Sequence, residues 1–196
     1  MAASRNPDSA SSQQLLDLAR GKDSHIVLCH IDNADENSAA SAISNLVASK
    51  GILRLDIVIA NAGISAYFGK ATETPAGQMT DHFSVNTIGS LSLFQATASL
   101  LSLAERPKFV AISSGAGSIG GMEALKDVQN TAYGASKAAL NFVVRKIHFE
   151  NPGLIAFSVN PGWLRTDVRY SNPDIPRVLT FISFISWAIT LLFLLA

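Results

Sequence analysis

The sequence predicts an α/β fold built on a doubly wound parallel sheet. Two observations carry that expectation. Short apolar runs of strand length alternate along the chain with segments at helical spacing. The runs are also apolar throughout, without polar alternation, as strands are when helices cover both faces of a parallel sheet. A length of 196 residues suits one domain. Hydrophobic residues at 48% and charged residues at 15% suit a packed core and exclude a disordered chain.

Ala2 to Pro7 reads as the end of a strand running into a turn. Ser11 to Arg20 is predicted helical, with Leu15, Leu16 and Ala19 at helical spacing. His25 to Ile31 is an apolar strand ending in Asp32. Ala39 to Ser49 follows as a helix with Ala39, Ile43, Leu46 and Val47 on one stripe. Leu55 to Ala60 is a continuous apolar strand that ends at Asn61-Ala62-Gly63. Asp81 to Ala104 reads as a long helix, Phe109 to Ile112 as a strand, Thr131 to Phe149 as a helix, and Leu154 to Val159 as a strand stopped by Asn160-Pro161-Gly162. Ligands sit at the carboxyl ends of such strands. That rule gathers Asp32, Asn61, Ser113, Ser114 and Pro161 along one edge.

Lys+Arg and Asp+Glu both number 15, so the formal charge is zero and nothing attracts the chain to nucleic acid in general. The single cysteine, Cys29, excludes an internal disulfide framework and reads as a small buried hydrophobe in a reducing compartment. His25, His30, His82 and His148 lack metal-ligand spacing, so no metal is expected. Met1 to Gln14 is too polar for a secretory signal. Val178 to Ala196 contains no charged residue. At about 1.5 Å per residue it is about 28 Å long as a helix, enough to span a bilayer, with Arg165, Arg169 and Arg177 on its cytosolic side.

Tyr133 and Lys137 stand four apart on a predicted helix and so share a face. A cation beside a phenol favours the phenolate, which makes the tyrosine a better acid/base near neutral pH. Ser114 follows a strand at the ligand edge, where its hydroxyl can stabilise charge developing on a carbonyl oxygen. Asn86 interrupts an apolar helix and is either a structural hydrogen-bonder or part of a polar relay. Asn61-Ala62-Gly63 lets backbone approach a ligand, or is a plain turn. Gly115-Ala116-Gly117-Ser118-Ile119-Gly120 matches the spacing of a dinucleotide fingerprint but lacks the strand and acidic residue about 20 positions on. It reads instead as a flexible wall of a substrate cleft.

In order, the chain carries Asp32 after a strand, Asn61-Ala62-Gly63-Ile64, Val85-Asn86-Thr87-Ile88-Gly89 and Ile112-Ser113-Ser114. Tyr133-Gly134-Ala135-Ser136-Lys137 and Asn160-Pro161-Gly162-Trp163-Leu164-Arg165-Thr166 follow. This series resembles the short-chain dehydrogenase/reductase family over roughly residues 1 to 170. The resemblance implies a Rossmann-like sheet and an oxidoreductase that moves a hydride between a nicotinamide cofactor and a small carbonyl or alcohol. It makes Tyr133 the general acid/base and Lys137 the group that lowers the Tyr133 pKa and binds the ribose. Ser114 would orient the carbonyl, and Asn86 would hold a relay water. Asp32 would contact adenine, Asn61, Ala62 and Gly63 would line the cofactor cleft, and Pro161, Gly162, Leu164 and Thr166 would lie against the nicotinamide. The interval from Ser114 to Tyr133 is longer than the family's, with the extra residues at Met122 to Asn130, which keeps Ser113 as a second candidate for the serine. Arg5, placed to hold a 2′-phosphate, favours NADP(H) over NAD(H).

The family's glycine-rich Thr-Gly-x-x-x-Gly-x-Gly turn is not in this sequence. The resemblance therefore implies a Rossmann-like domain over 1–177, incomplete at the N-terminus, followed by the apolar segment 178–196. Without its central first strand, the strands on either side would lack a partner. Three functional readings follow. The first is a cytoplasmic reductase, dimeric or tetrameric when complete through the 81–104 and 131–149 helices, where Phe83, Leu91, Leu93, Phe94, Leu100 and Leu101 offer apolar surface. The second is an inactive fragment acting as a binding or regulatory protein. The third is a reductase anchored to a membrane by 178–196.

Overall fold

The computed structural model describes residues 1–162 and the strand Thr190–Phe193. Its strands are β1 (Ala2–Ser4), β2 (Leu28–His30), β3 (Ile57–Ala60), β4 (Lys108–Ile112), β5 (Ile155–Val159) and β6 (Thr190–Phe193). They form one sheet in the order β2-β1-β6-β3-β4-β5. β1 pairs parallel with β2, and β3, β4 and β5 pair parallel in succession. Non-consecutive neighbours joined by helical crossovers give the doubly wound pattern that the alternation of runs predicts.

The helices are α1 (Ala10–Gln13), α2 (Ser38–Lys50), α3 (Ala76–Phe83), α4 (Gly89–Leu101) and α5 (Thr131–Glu150). On α2, Ala39, Ala42, Ile43 and Leu46 enter the core. Val47, expected on that stripe, is 39% exposed. Gly51 closes the helix at φ 63°, a left-handed cap that glycine adopts without strain. Phe94 of α4 meets Phe109 of β4 edge-on, with centroids 5.3 Å apart. Leu93, Phe94 and Leu101 are buried in this core, so those three cover the sheet and are not spare apolar surface.

Three expectations need correction. The helix predicted over Ser11 to Arg20 is one α turn followed by a 3-10 turn at Gln14–Asp17. Its one buried residue is Ser12, whose hydroxyl donates to Ser4 Oγ at 2.9 Å, and a segment with so little apolar burial does not sustain a long helix. The strands are less uniformly buried than their composition suggests. Val58, Ala60, Phe109 and Ala111 are fully enclosed while their alternate neighbours are half-buried, and on β5 Ile155 and Phe157 are exposed because that strand ends the described sheet. Of the glycines after β4, Gly115 and Gly117 form a packed turn with Gly117 buried, while Gly120 is exposed.

The fourth correction concerns the C-terminal segment and the missing sheet partner together. β6 lies antiparallel between β1 and β3, with Ala2 and Ala3 opposite Leu191 and Thr190, and Ile57, Val58 and Ile59 opposite Phe193, Leu192 and Leu191. The neighbours therefore do have a partner, and these four residues of the apolar segment are extended rather than helical. No helix among the described residues is long and apolar enough to cross a membrane. Deleting residues 190–196 should strip ladder bonds from two interior strands, each buried unpaired group costing about 1–3 kcal/mol against a total stability of about 5–15 kcal/mol. The expected result in calorimetry is loss of the cooperative unfolding transition; an unchanged melting profile would count against this role for β6.

Candidate active site

The carboxyl ends of β3 and β4, with α5 across them, bring the predicted chemistry together. The turn after β3 carries Asn61, Ala62 and Gly63, and a side chain at Gly63 would begin 3.0 Å from Asn86 Oδ1 and 3.3 Å from Lys137 Nζ. A side chain there would press on both polar heads. Lys137 is 4% exposed. Its ammonium donates to the Ile112 carbonyl at 2.8 Å and lies 5.8 Å from the centre of the Tyr133 ring. Burial pushes the lysine pKa down from 10.5 to about 8, because the charged form loses solvation.

Ser114 caps the turn that follows β4. Its Oγ accepts from Ala116 N at 3.2 Å, which leaves the hydroxyl hydrogen available to a substrate oxygen. The turn is held against α5: a Cβ on Gly117 would lie 2.7 Å from the Lys137 carbonyl carbon, and one on Gly134 would lie 3.0 Å from Ala116 O. Asn141 Nδ2 donates to Gly117 O at 3.2 Å. Ser113, the second candidate, is more buried than Ser114. It is 5% exposed, and its Oγ has no hydrogen-bond partner among the described residues. A Cβ on Gly115 would come within 3.2 Å of Asn160 Nδ2, so the turn before Pro161 and Gly162 borders the same cleft.

Asn86 is fully buried on a π-helical turn, Ser84–Ile88, between α3 and α4. Its Oδ1 accepts from Ile64 N at 2.7 Å, and its Nδ2 donates to Ile64 O at 3.0 Å and Ser136 Oγ at 2.9 Å. The amide ties the β3 loop to α5. Asp32 is half-buried after β2, its Oδ1 accepting from Ala34 N at 2.9 Å, and Arg5 is exposed after β1. Both therefore lie on the carboxyl edge, across β6 from Lys137. Leu164 and Thr166 fall outside the described residues.

The family profile of the short chain dehydrogenase matches residues 2–174. The chain belongs to the short-chain dehydrogenase family. It is 38% identical over 151 residues to the norsolorinic acid ketoreductase of Emericella nidulans, an alignment covering 77% of this chain and 57% of that protein. It is 34% identical over 184 residues to a short chain dehydrogenase of Penicillium aethiopicum, covering 92% of this chain and 71% of that one. Among solved structures it is similar to the NADPH-bound carbonyl reductase from chicken fatty liver, with a TM-score of 0.73, 28% identity, and coverage of 84% of this chain and 68% of that chain. The chain spans 57%, 62% and 56% of the three norsolorinic acid ketoreductases it matches.

The sequence does not flag the residues that support the site from behind. Gly117 and Thr87, whose Oγ1 donates to Ser136 O at 2.9 Å, hold α5 against its neighbours. His82 is fully buried and binds the β3 loop. The signal for His82 was its position one turn before Asn86, which puts both side chains on one helical face. Among the described residues no cluster of three His, Cys, Asp or Glu could hold a metal. Cys29 is half-buried, and burial raises its thiol pKa to about 11.

Proposed function

We propose that this protein reduces a carbonyl, or oxidises the corresponding alcohol, with NADP(H), using Ser114, Tyr133 and Lys137, with Asn86 holding the loop beside them. The observation that carries the reading is the buried Lys137 amine, set between Gly63 and the Tyr133 ring while the Ser114 turn packs on the same helix. When bound, the nicotinamide supplies the hydride. Tyr133 donates its phenolic proton to the carbonyl oxygen as negative charge develops there, and Ser114 donates a hydrogen bond to that oxygen. Ketone reduction is supported by the relatives named norsolorinic acid ketoreductases. NADP(H) over NAD(H) is supported by Arg5 at the end of β1 and by the NADPH-bound carbonyl reductase.

The residues present fit the two ends of the cofactor. Asp32 and Arg5 would face adenosine, and Gly63, Lys137, Pro161 and Gly162 would face the nicotinamide, joined by Leu164 and Thr166 in the reading of the sequence. The described residues include no glycine-rich turn leading into a helix for the pyrophosphate, and β6 stands between the two ends. That position of β6 favours a second reading, a non-catalytic binding protein. The test is NADPH consumption in the presence of a panel of aryl ketones, with the chain extended ahead of Met1 by a glycine-rich strand-turn-helix unit. No consumption with either nicotinamide cofactor would sink the catalytic reading. If the protein assembles, the exposed Phe142 and Phe149 of α5 are the proposed contact.

The pH dependence of turnover follows from Lys137. The amine is charged below about pH 8 and loses its proton as pH rises through that value. Any contribution that needs the ammonium is therefore complete below pH 8 and lost above it. For folding the sign is opposite. Between about 8 and 10.5 the unfolded chain binds this proton and the folded chain does not, so this group's contribution to stability rises with pH across that window. A rate profile flat through pH 9 would contradict the assignment of Lys137.

A further inference from the structure

His82 sits on the last turn of α3, and none of its surface reaches solvent. Its Nδ1 lies 2.7 Å from the Gln78 carbonyl. A carbonyl oxygen only accepts, so Nδ1 carries the proton and Nε2 offers a lone pair. That lone pair accepts the Ala66 amide at 3.1 Å. Both ring nitrogens are satisfied, and the imidazole is the neutral Nδ1–H form. One turn further on, Asn86 Oδ1 accepts the Ile64 amide at 2.7 Å.

His82 stands on the last α turn and Asn86 on the π turn that follows, and both side chains reach the same loop. Asn86 gives Ile64 both an acceptor and a donor, and His82 gives Ala66 an acceptor. The loop they hold starts at Gly63, whose backbone lies against Asn86 Oδ1 and Lys137 Nζ. Beyond it, Gly69 N donates to Gln129 O at 2.8 Å, so the far end of the loop is tied separately.

We propose that His82 is a positioning residue. With Asn86 it pins the Ile64–Ala66 backbone as the wall that encloses the Lys137 amine. The inference rests on reading Lys137 as part of the site, but its test needs no turnover. Failure to reduce any ketone would therefore sink the proposed function and leave the His82 result standing.

The experiment uses residues 1–196 and NMR. In the unsubstituted chain the His82 imidazole should show a protonated Nδ1 and an accepting Nε2, and the Ile64 and Ala66 amides should exchange slowly. His82→Phe keeps a ring but cannot accept. Exchange at Ala66 should accelerate by roughly tenfold or more, and at Ile64 by less, since Asn86 still holds it. Water then reaches the lysine, so the Lys137 titration should move up from about 8 towards 10.5. His82→Gln, with an oxygen acceptor, should restore both values, which mere filling of space would not. Unchanged Ala66 exchange in the Phe variant overturns the proposal, and so does an unmoved Lys137 titration with Ala66 released. Should the Phe variant not fold, the unsubstituted imidazole decides. A proton on Nε2 rather than Nδ1 overturns the clamp.

Discussion

Tyr133→Phe is expected to abolish carbonyl reduction while leaving the fold intact. The substitution removes one hydroxyl from a half-buried ring and keeps the packing of that ring. Lys137 Nζ, 5.8 Å from the ring centre, would still face an aromatic surface, so local stability should change little. What is lost is the proton delivered to the carbonyl oxygen, and a positioned general acid is worth roughly 10²–10⁴ in rate. The measurement is kcat with NADPH and a ketone in the extended chain, beside a melting curve for each variant. Near-unchanged kcat in Tyr133→Phe would show that another group supplies the proton. Lys137→Ala should also be severe. It removes the cation beside the phenol and leaves the Ile112 carbonyl without its 2.8 Å donor.

The contrast between Tyr133 and His82 shows what could be read from the chain. Tyr133 and Lys137 announce themselves because a helix turns the spacing of four into a shared face, and α5 spans Thr131–Glu150 against the 131–149 expected. The strands ending at Ala60 and Ile112 are equally legible, so the edge that gathers Gly63 and Ser114 follows from sequence. His82 is different. Its role comes from an amide 16 residues away in sequence, in a loop whose path no periodicity encodes. Asn86 falls between the two. A buried asparagine must find partners, but whether it holds water or backbone depends on where Ile64 lies, and only the fold places that residue. The uncharged C-terminal run is ambiguous for a further reason. Apolar composition without alternation suits a spanning helix and an interior strand alike, and only pairing with β1 and β3 identifies Thr190–Phe193 as a strand.

Residues 1–196 alone are expected to fold yet bind NADPH only weakly, and the direction of β6 explains why both can hold. As a strand, β6 supplies ladder partners to β1 and β3, so the loss of stability expected from an unpaired sheet centre does not arise. As an anion site it supplies nothing. A parallel strand in that place would end at the carboxyl edge and lead through a turn into a helix, whose amino end and free backbone N–H groups attract phosphate. β6 runs the other way. Thr190, opposite Ala3, begins at that edge and Phe193, opposite Ile57, lies away from it, so the carboxyl end of β6 does not point at that edge. Asp32 and Lys137 could still touch the two ends of the cofactor across this strand. Hydrogen bonds to a charged group are worth about 1.5–3 kcal/mol each, so losing two of them weakens binding by roughly 10²–10⁴-fold. Calorimetric titration of the 196-residue chain with NADPH measures this directly. The expected result is no saturation at micromolar ligand, with cooperative melting preserved. A micromolar dissociation constant from the folded chain would mean that another set of backbone amides holds the pyrophosphate. Adding a glycine-rich strand-turn-helix ahead of Met1 should displace β6 from between β1 and β3 and raise the affinity together, because both strands would compete for one place in the sheet.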